Sequence, residues 1–283
     1  MGVVGYLRSA ASVSWQHPAV RAVLPVVDMA DGLLRSVVGN VHVPPYSHRI
    51  RSNGVARQLG GWEFIASGAA DVRELRGLGL LFPHSRTLDV GCGVGRMATA
   101  IRPVLSTGSY LGLDVDRVSV QSCRENGYLN LAPFRFEHVD MSHEMYNPGG
   151  SQSAFAWKLP VEDHSVDLVL AMSVFTHLLS HECQAMAREL ERVLAPAGAV
   201  VVTAFILDDG DPGAQGFPAR RGNAFVRTER APRKAIAYAE ETVDQWFSGE
   251  SELLRGSWHG GGDSIAPRSQ DWIIVRAADP SRI

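Results

Sequence analysis

The chain has 283 residues, of which 45% are hydrophobic and 20% charged, with a formal net charge of −3. That length and apolar share suit one α/β domain with added elements better than two equal domains, and the weak acidic balance gives no electrostatic case for a nucleic-acid partner, so a small-molecule partner fits better. Three cysteines (Cys92, Cys123 and Cys183) form no CxxC pair and no even-numbered framework, which argues against disulfides and structural zinc; with no secretory leader pattern, a reducing, cytoplasmic setting is expected.

Residues 1–60 read as an N-terminal helical cap. One or two helices lead into the turn-rich Val43-Pro44-Pro45-Tyr46 and a basic segment carrying His48, Arg49, Arg51 and Arg57. The longest apolar stretch, Val20 to Val38, is broken by Arg21, Pro25, Asp28, Asp31, Gly32 and Arg35, which excludes a spanning helix. A helix packed over the domain or lining a pocket is the expectation, and contact with a membrane surface the alternative.

Residues 61–283 read as the main domain. Apolar residues at helical spacing mark a helix from Trp62 to Leu78. Strands follow at Thr87–Val90, Tyr110–Asp114, Phe134–Val139, Asp167–Met172 and Ala199–Ile206, with helices near 94–104, 116–126 and 181–194. This alternation predicts a doubly wound, mostly parallel sheet with a ligand at the strand carboxyl ends. Residues 207–233, rich in Gly, Pro and Arg, are too long for a simple connection and make a candidate lid. A helix from about Lys234 to Phe247 and two strands near Leu253–Trp258 and Trp272–Arg276 complete the chain.

The chemistry concentrates in Leu88-Asp-Val-Gly-Cys-Gly-Val-Gly-Arg96. An acid ends an apolar run, and Gly91, Gly93 and Gly95 let the backbone turn tightly and a ligand approach where a Cβ would clash. The spacing is not the Gly-x-Gly-x-x-Gly that seats a dinucleotide, and Asp89 would repel a diphosphate while favouring a cationic or hydrogen-donating ligand. Farther on, Tyr110-Leu-Gly-Leu-Asp114 ends in an acid suited to accept hydrogen bonds from both hydroxyls of a ribose.

The nonapeptide resembles the first motif of class I S-adenosylmethionine-dependent methyltransferases. The resemblance extends over about residues 60–207 and implies a Rossmann-like, seven-stranded sheet whose last pair of strands is a hairpin with one strand antiparallel. It implies S-adenosylmethionine as cofactor and S-adenosylhomocysteine as product. Asp89, Gly91, Cys92, Gly93 and Arg96 would lie around the methionine moiety, and Asp114 with Val115 at the ribose. Phe136-Glu-His-Val-Asp140-Met141 resembles the third-strand motif, so Asp140 and Met141 would meet the adenine; an insertion from His143 onward leaves the backbone around Ala156-Trp157 as the other possibility. The Tyr146-Asn-Pro-Gly149 turn is either structural or part of an acceptor pocket.

Asp167-Leu-Val-Leu-Ala-Met-Ser173-Val-Phe-Thr-His177 resembles the fourth strand and the loop after it, which places Ser173 and His177 opposite the methyl donor. His177, whose kind titrates near neutrality, is the candidate general base, ahead of His138, His143, His181 and His259. No metal site is expected: Asp208, Asp209 and Asp211 offer oxygen ligands for Mg²⁺, but their Asp-Gly and Asp-Pro pairs read more simply as turns. The place after the fourth strand lacks the Asn/Asp-Pro-Pro-aromatic loop of DNA amino-methyltransferases, and no cysteine follows a proline as cytosine-carbon chemistry would need. The expectation is methylation of a small-molecule oxygen, with nucleic-acid or protein methylation, or cofactor binding without turnover, as alternatives.

Overall fold

A computed structural model describes residues 17–52, 59–152, 158–260 and 269–277. The chain divides into two compact units, Met1–Ile65 and Ala66–Ile283.

In the first unit, α1 (Pro18–Val37) starts where His17 caps it, its Nδ1 accepting the Ala19 N–H, with Pro18 preset for a first turn. Asp31 on α1 is fully buried. Its carboxylate accepts from Arg35, from Arg49 on α2 (Tyr46–Ser52) and from the Gly60 N–H. One buried acid thus ties Arg49 of the basic segment to α1, as buried charges require partners. Among the described residues no helix is long and apolar enough to cross a membrane.

The second unit is built on an open sheet. Helix α3 (Trp62–Gly77) leads into β1 (Arg86–Val90), α4 (Arg96–Ile101), β2 (Ser109–Asp114), α5 (Arg117–Glu125), β3 (Phe134–His138) and β4 (Val166–Ala171). After β4 come α6 (Ser180–Val193), β5 (Leu194–Ile206), β6 (Ala219–Arg221), β7 (Ala224–Val226), β8 (Ile236–Tyr238), α7 (Glu240–Val243), β9 (Ser251–Leu254) and β10 (Asp271–Arg276). The order β3-β2-β1-β4-β5 is parallel throughout. On the far side of β5 lies β10, antiparallel to both β5 and β9. These are the seven expected strands, hairpin included.

Alternation along the strands fills both faces. Val169, Ala171, Val200 and Val202 enter one core with Leu88, Val90 and the α6 residues Met186 and Leu190. Leu168, Leu170 and Val201 enter the other with Met97, Ile101 and Cys123. A sheet covered on both sides leaves only its strand ends open for a ligand.

The structure departs from expectation after Ile206. The sheet has ten strands, because the final two residues of β5 pair in parallel with β8, which continues antiparallel into β7 and β6. Residues 219–226 of the candidate lid are therefore a hairpin extension of the sheet. It has its own small core, in which Phe205, Phe217 and Trp258 meet with ring centroids 5.2–6.1 Å apart. The helix expected over 234–247 is replaced by β8 and the four-residue α7, because Ile236, Ala237 and Tyr238 are all buried and find strand partners. Asp271, fully buried at the start of β10, anchors this corner by accepting from the Ile206 and Gly256 N–H groups, Trp258 and His259.

Candidate active site

Every residue expected at the cofactor comes from a carboxyl end of β1 to β4. Asp89 is buried within β1; its Oδ2 accepts the Tyr110 hydroxyl and its Oδ1 is buried without a partner among the described residues. Burial pushes its pKa up to about 7. A buried acid with an unused oxygen calls for a donor from outside the chain.

Gly91, Gly93 and Gly95 all have positive φ, at 76°, 54° and 85°. The requirement is strictest at Gly91, where a Cβ would come within 2.4 Å of Val174 Cγ2. The glycine loop and the loop after β4 thus touch at a point where only glycine fits. The loop is held from below: the N–H groups of Gly91 and Cys92 donate to Leu113 O, and that of Gly93 to Asp114 Oδ2. Cys92 turns its thiol into the core beside Cys123, and burial with that contact holds the thiol pKa well above its ordinary value. Arg96, at the start of α4, pairs with Asp71 of α3 at 2.6 Å; its charge also bears on Asp89.

Asp114 accepts the Asp116 N–H on Oδ1 as well as the Gly93 N–H on Oδ2, which fixes the plane of its carboxylate. Its desolvation pushes the pKa up to about 6. Val115 beside it is half-buried, its carbonyl against His138 Nε2. Asp140 faces a different task, since Oδ1 accepts from the Asn147 amide and Oδ2 from the Ser151 hydroxyl and N–H. Those bonds, the Ser151 hydroxyl foremost, lower its pKa. It thereby organises the inserted turn, while Met141 is buried and its carbonyl accepts from the same Asn147 amide. Residues 154–157, the other candidate for the adenine, lie outside the described residues.

The loop after β4 carries the groups expected on the acceptor side. Ser173 is exposed at φ 62°, a left-handed conformation rare without glycine. It is held there by its N–H on Thr203 Oγ1 and its hydroxyl on Gln270. The 3-10 turn Phe175–His177 follows, wedged by the fully buried Phe175 against Trp246 and Phe247.

At the end of that turn His177 Nδ1 lies 2.8 Å from the carbonyl oxygen of Arg233. A carbonyl only accepts, so Nδ1 carries the proton and Nε2 keeps its lone pair. Burial lowers the pKa, so the ring is neutral near pH 7. Arg233 is itself locked by a two-pronged pair with Glu182 on α6, at 2.6 and 2.9 Å. Glu182 also accepts the Leu179 N–H at the helix start. His143 and Tyr146, from the inserted turn, complete a cluster, with ring centroids 6.3 and 6.0 Å from that of His177.

Arg233 and Glu182 escaped the sequence reading. Arg233 acts on His177 through its backbone carbonyl, which no side-chain pattern reveals. Arg233→Ala should leave Glu182 without its charge partner and cost about 1–3 kcal/mol by urea denaturation. Arg233→Lys should recover part of that, because one prong survives. Asp208, Asp209 and Asp211 do not converge: Asp208 pairs with His259 and Arg255, whereas Asp211 accepts the N–H groups of Gly213 and Ala214 in its own turn.

Residues 88–202 match a family described as "Methyltransferase domain". The ribosomal protein L11 methyltransferase of Caulobacter sp. is 28% identical over 43% of this chain and 35% of its own length. The phthiotriol/phenolphthiotriol dimycocerosates methyltransferase 1 of Mycobacterium ulcerans is 32% identical over 42% of this chain and 36% of its own. The matches thus span little more than a third of these curated relatives. Among solved structures, a protein of Pyrococcus horikoshii aligns with TM-score 0.54 and 14% identity over 81% of this chain and 96% of that one, a likeness of fold. Residues 88–202 are thus similar to methyltransferase domains, and the mostly parallel sheet is that of the Rossmann-like fold.

Proposed function

We propose that the protein transfers a methyl group from S-adenosylmethionine to a hydroxyl oxygen of a small molecule such as a sugar, a glycolipid or a polyketide-type metabolite. The observation that carries this reading is the tautomer of His177, fixed by Arg233 so that a neutral ring keeps an open Nε2, on a loop whose Val174 abuts Gly91. In that arrangement Asp89 and the glycine loop hold the methionine part, Asp114 the ribose hydroxyls, and Asp140 or the segment after it the adenine. The cofactor supplies an electrophilic methyl: the S–CH₃ bond breaks as O–CH₃ forms, and sulfur keeps the bonding pair. His177 takes the hydroxyl proton on Nε2, and the packed loop orients the acceptor. The Mycobacterium relative, named for a lipid acceptor, is in keeping with this reading. The Caulobacter relative, named for a ribosomal protein, favours a protein acceptor as the second reading.

A mass-shift screen with S-adenosylmethionine tests the reaction: small hydroxylated acceptors gain a methyl, and methylation confined to protein would favour the second reading. The donor site is tested by calorimetry with S-adenosylhomocysteine. Asp89→Asn should weaken binding about tenfold or more, ~1.4 kcal/mol, and unchanged affinity would remove Asp89 from the site. Its stability should move the other way. Folded Asp89 keeps its proton up to about 7, against 3.8 for an ordinary carboxyl. Between those values the folded chain holds the extra proton, so stability is lost as pH rises, and the full penalty stands above about 7. Asp89→Asn should therefore raise Tm by roughly 5 °C in mildly alkaline buffer and little in acid.

A further inference from the structure

The inserted turn leaves one strong feature unused. His143 Nδ1 accepts the N–H groups of Met145 and Tyr146, at 3.2 and 3.3 Å. The proton of the neutral ring therefore sits on Nε2. That Nε2 is buried and has no hydrogen-bond partner among the described residues, in a side chain only 8% exposed. An orphaned buried donor costs about 1–3 kcal/mol, and a fold that keeps one normally uses it. Burial, with His177 and the Arg233 guanidinium nearby, lowers the His143 pKa to about 4, so the ring stays a neutral donor near pH 7. Its ring stands edge-on to that of His177 with centroids 6.3 Å apart.

We propose that His143 is a second catalytic residue: one acceptor oxygen lies between the two imidazoles, giving its proton to His177 Nε2 while accepting the Nε2–H of His143. The inference rests on the hydroxyl-methylation reading and deepens it by stating why the acceptor atom is oxygen. A hydroxyl oxygen has two lone pairs, so one attacks while the other takes the His143 donor. A neutral amine has a single pair, which attack consumes, and the His143 N–H would be left unpaired at the full desolvation cost. The same N–H meets the negative charge that grows on oxygen as its proton departs to His177.

The test uses matched probes, phenol and benzyl alcohol against aniline and benzylamine. Protein carrying nitrogen-labelled histidine and saturated with S-adenosylhomocysteine is titrated with each, and both histidine Nε2 signals are followed by long-range proton–nitrogen NMR. The oxygen probes should move the His143 and His177 Nε2 signals together, and the amines should leave His143 in place. In methyl transfer read by mass, the wild type should prefer oxygen to nitrogen. His143→Leu should lower kcat on the alcohols about tenfold or more and flatten that preference at unchanged S-adenosylhomocysteine affinity. His143→Gln, which keeps an N–H donor, should restore part of both. A His143 Nε2 signal unmoved by phenol and by benzyl alcohol overturns the proposal, as does a His143→Leu protein with unaltered rate and preference. If no probe is methylated but phenol moves His143 Nε2, the methyl-transfer reading fails and the donor assignment stands.

Discussion

Gly91→Ala should abolish S-adenosylhomocysteine binding in practical terms, weakening it about 100-fold or more, ~2.7 kcal/mol. It should also destabilise the fold by roughly 2–4 kcal/mol, the combined size of a left-handed alanine and an overpacked contact. Both effects have one origin. At φ 76° the new Cβ points at Val174 Cγ2, 2.4 Å away, so either the glycine loop or the loop after β4 must move. Moving the first pulls on the Gly91 and Cys92 N–H bonds to Leu113; moving the second shifts His177. The double variant Gly91→Ala, Val174→Ala separates strain from clash, since shortening Val174 leaves only the backbone cost. Urea denaturation should show the double variant regaining more than half of the loss. A single variant with wild-type affinity and stability would mean that the two loops do not meet as described.

His177→Ala should leave S-adenosylhomocysteine affinity within about threefold of wild type while kcat on a hydroxyl acceptor falls by roughly 10²–10⁴-fold, the usual worth of a positioned general base. With saturating donor, the pH profile carries the second signature. Burial sets the His177 pKa below its ordinary 6.5, so kcat should be level above neutrality and fall as pH drops through that lowered value. The acid limb should vanish in His177→Ala. Asp89 and Asp114, raised to about 7 and about 6, titrate in the same region, but their proposed role is in donor binding, which saturation removes from kcat. Stability follows the histidines in the same direction. Between the ordinary 6.5 and about 4, the unfolded chain holds a proton that folded His143 refuses, so stability falls as pH falls through that window and this group adds no further loss below it.

The cofactor side was legible because backbone demands dictate residue type there. Gly91, Gly93 and Gly95 all occupy left-handed conformations, and the strand-end acids Asp89 and Asp114 sit where the chain offers backbone N–H groups or an open oxygen. Strands β1, β2, β4, β5 and β10 were legible because their apolar runs are mostly buried on both faces. The segment after Ile206 was not. Its strands are three residues each, too short to show alternation, and Ala235 to Tyr238 joins the apolar residues that follow into what reads as helical spacing. His143 could be ranked only as one histidine among ten, because its meaning lies in a donor left over after its own turn is made. Asp140, read toward the adenine, also accepts from Asn147 and Ser151, a role that only the folded insertion discloses.

The hairpin grafted onto the last two residues of β5 has a consequence for how the two halves of the site come into being. On the proposed reading, loading the donor depends on β1 and β2, whereas the protonation geometry of His177 depends on a carbonyl delivered by the segment between β7 and β8. Cleavage or poor folding of that late segment should therefore yield protein that still captures S-adenosylhomocysteine but has lost its grip on which nitrogen of His177 is open. Donor occupancy and catalytic competence become separable quantities, and a preparation should be judged active by turnover, since cofactor titration alone would count its silent fraction as whole.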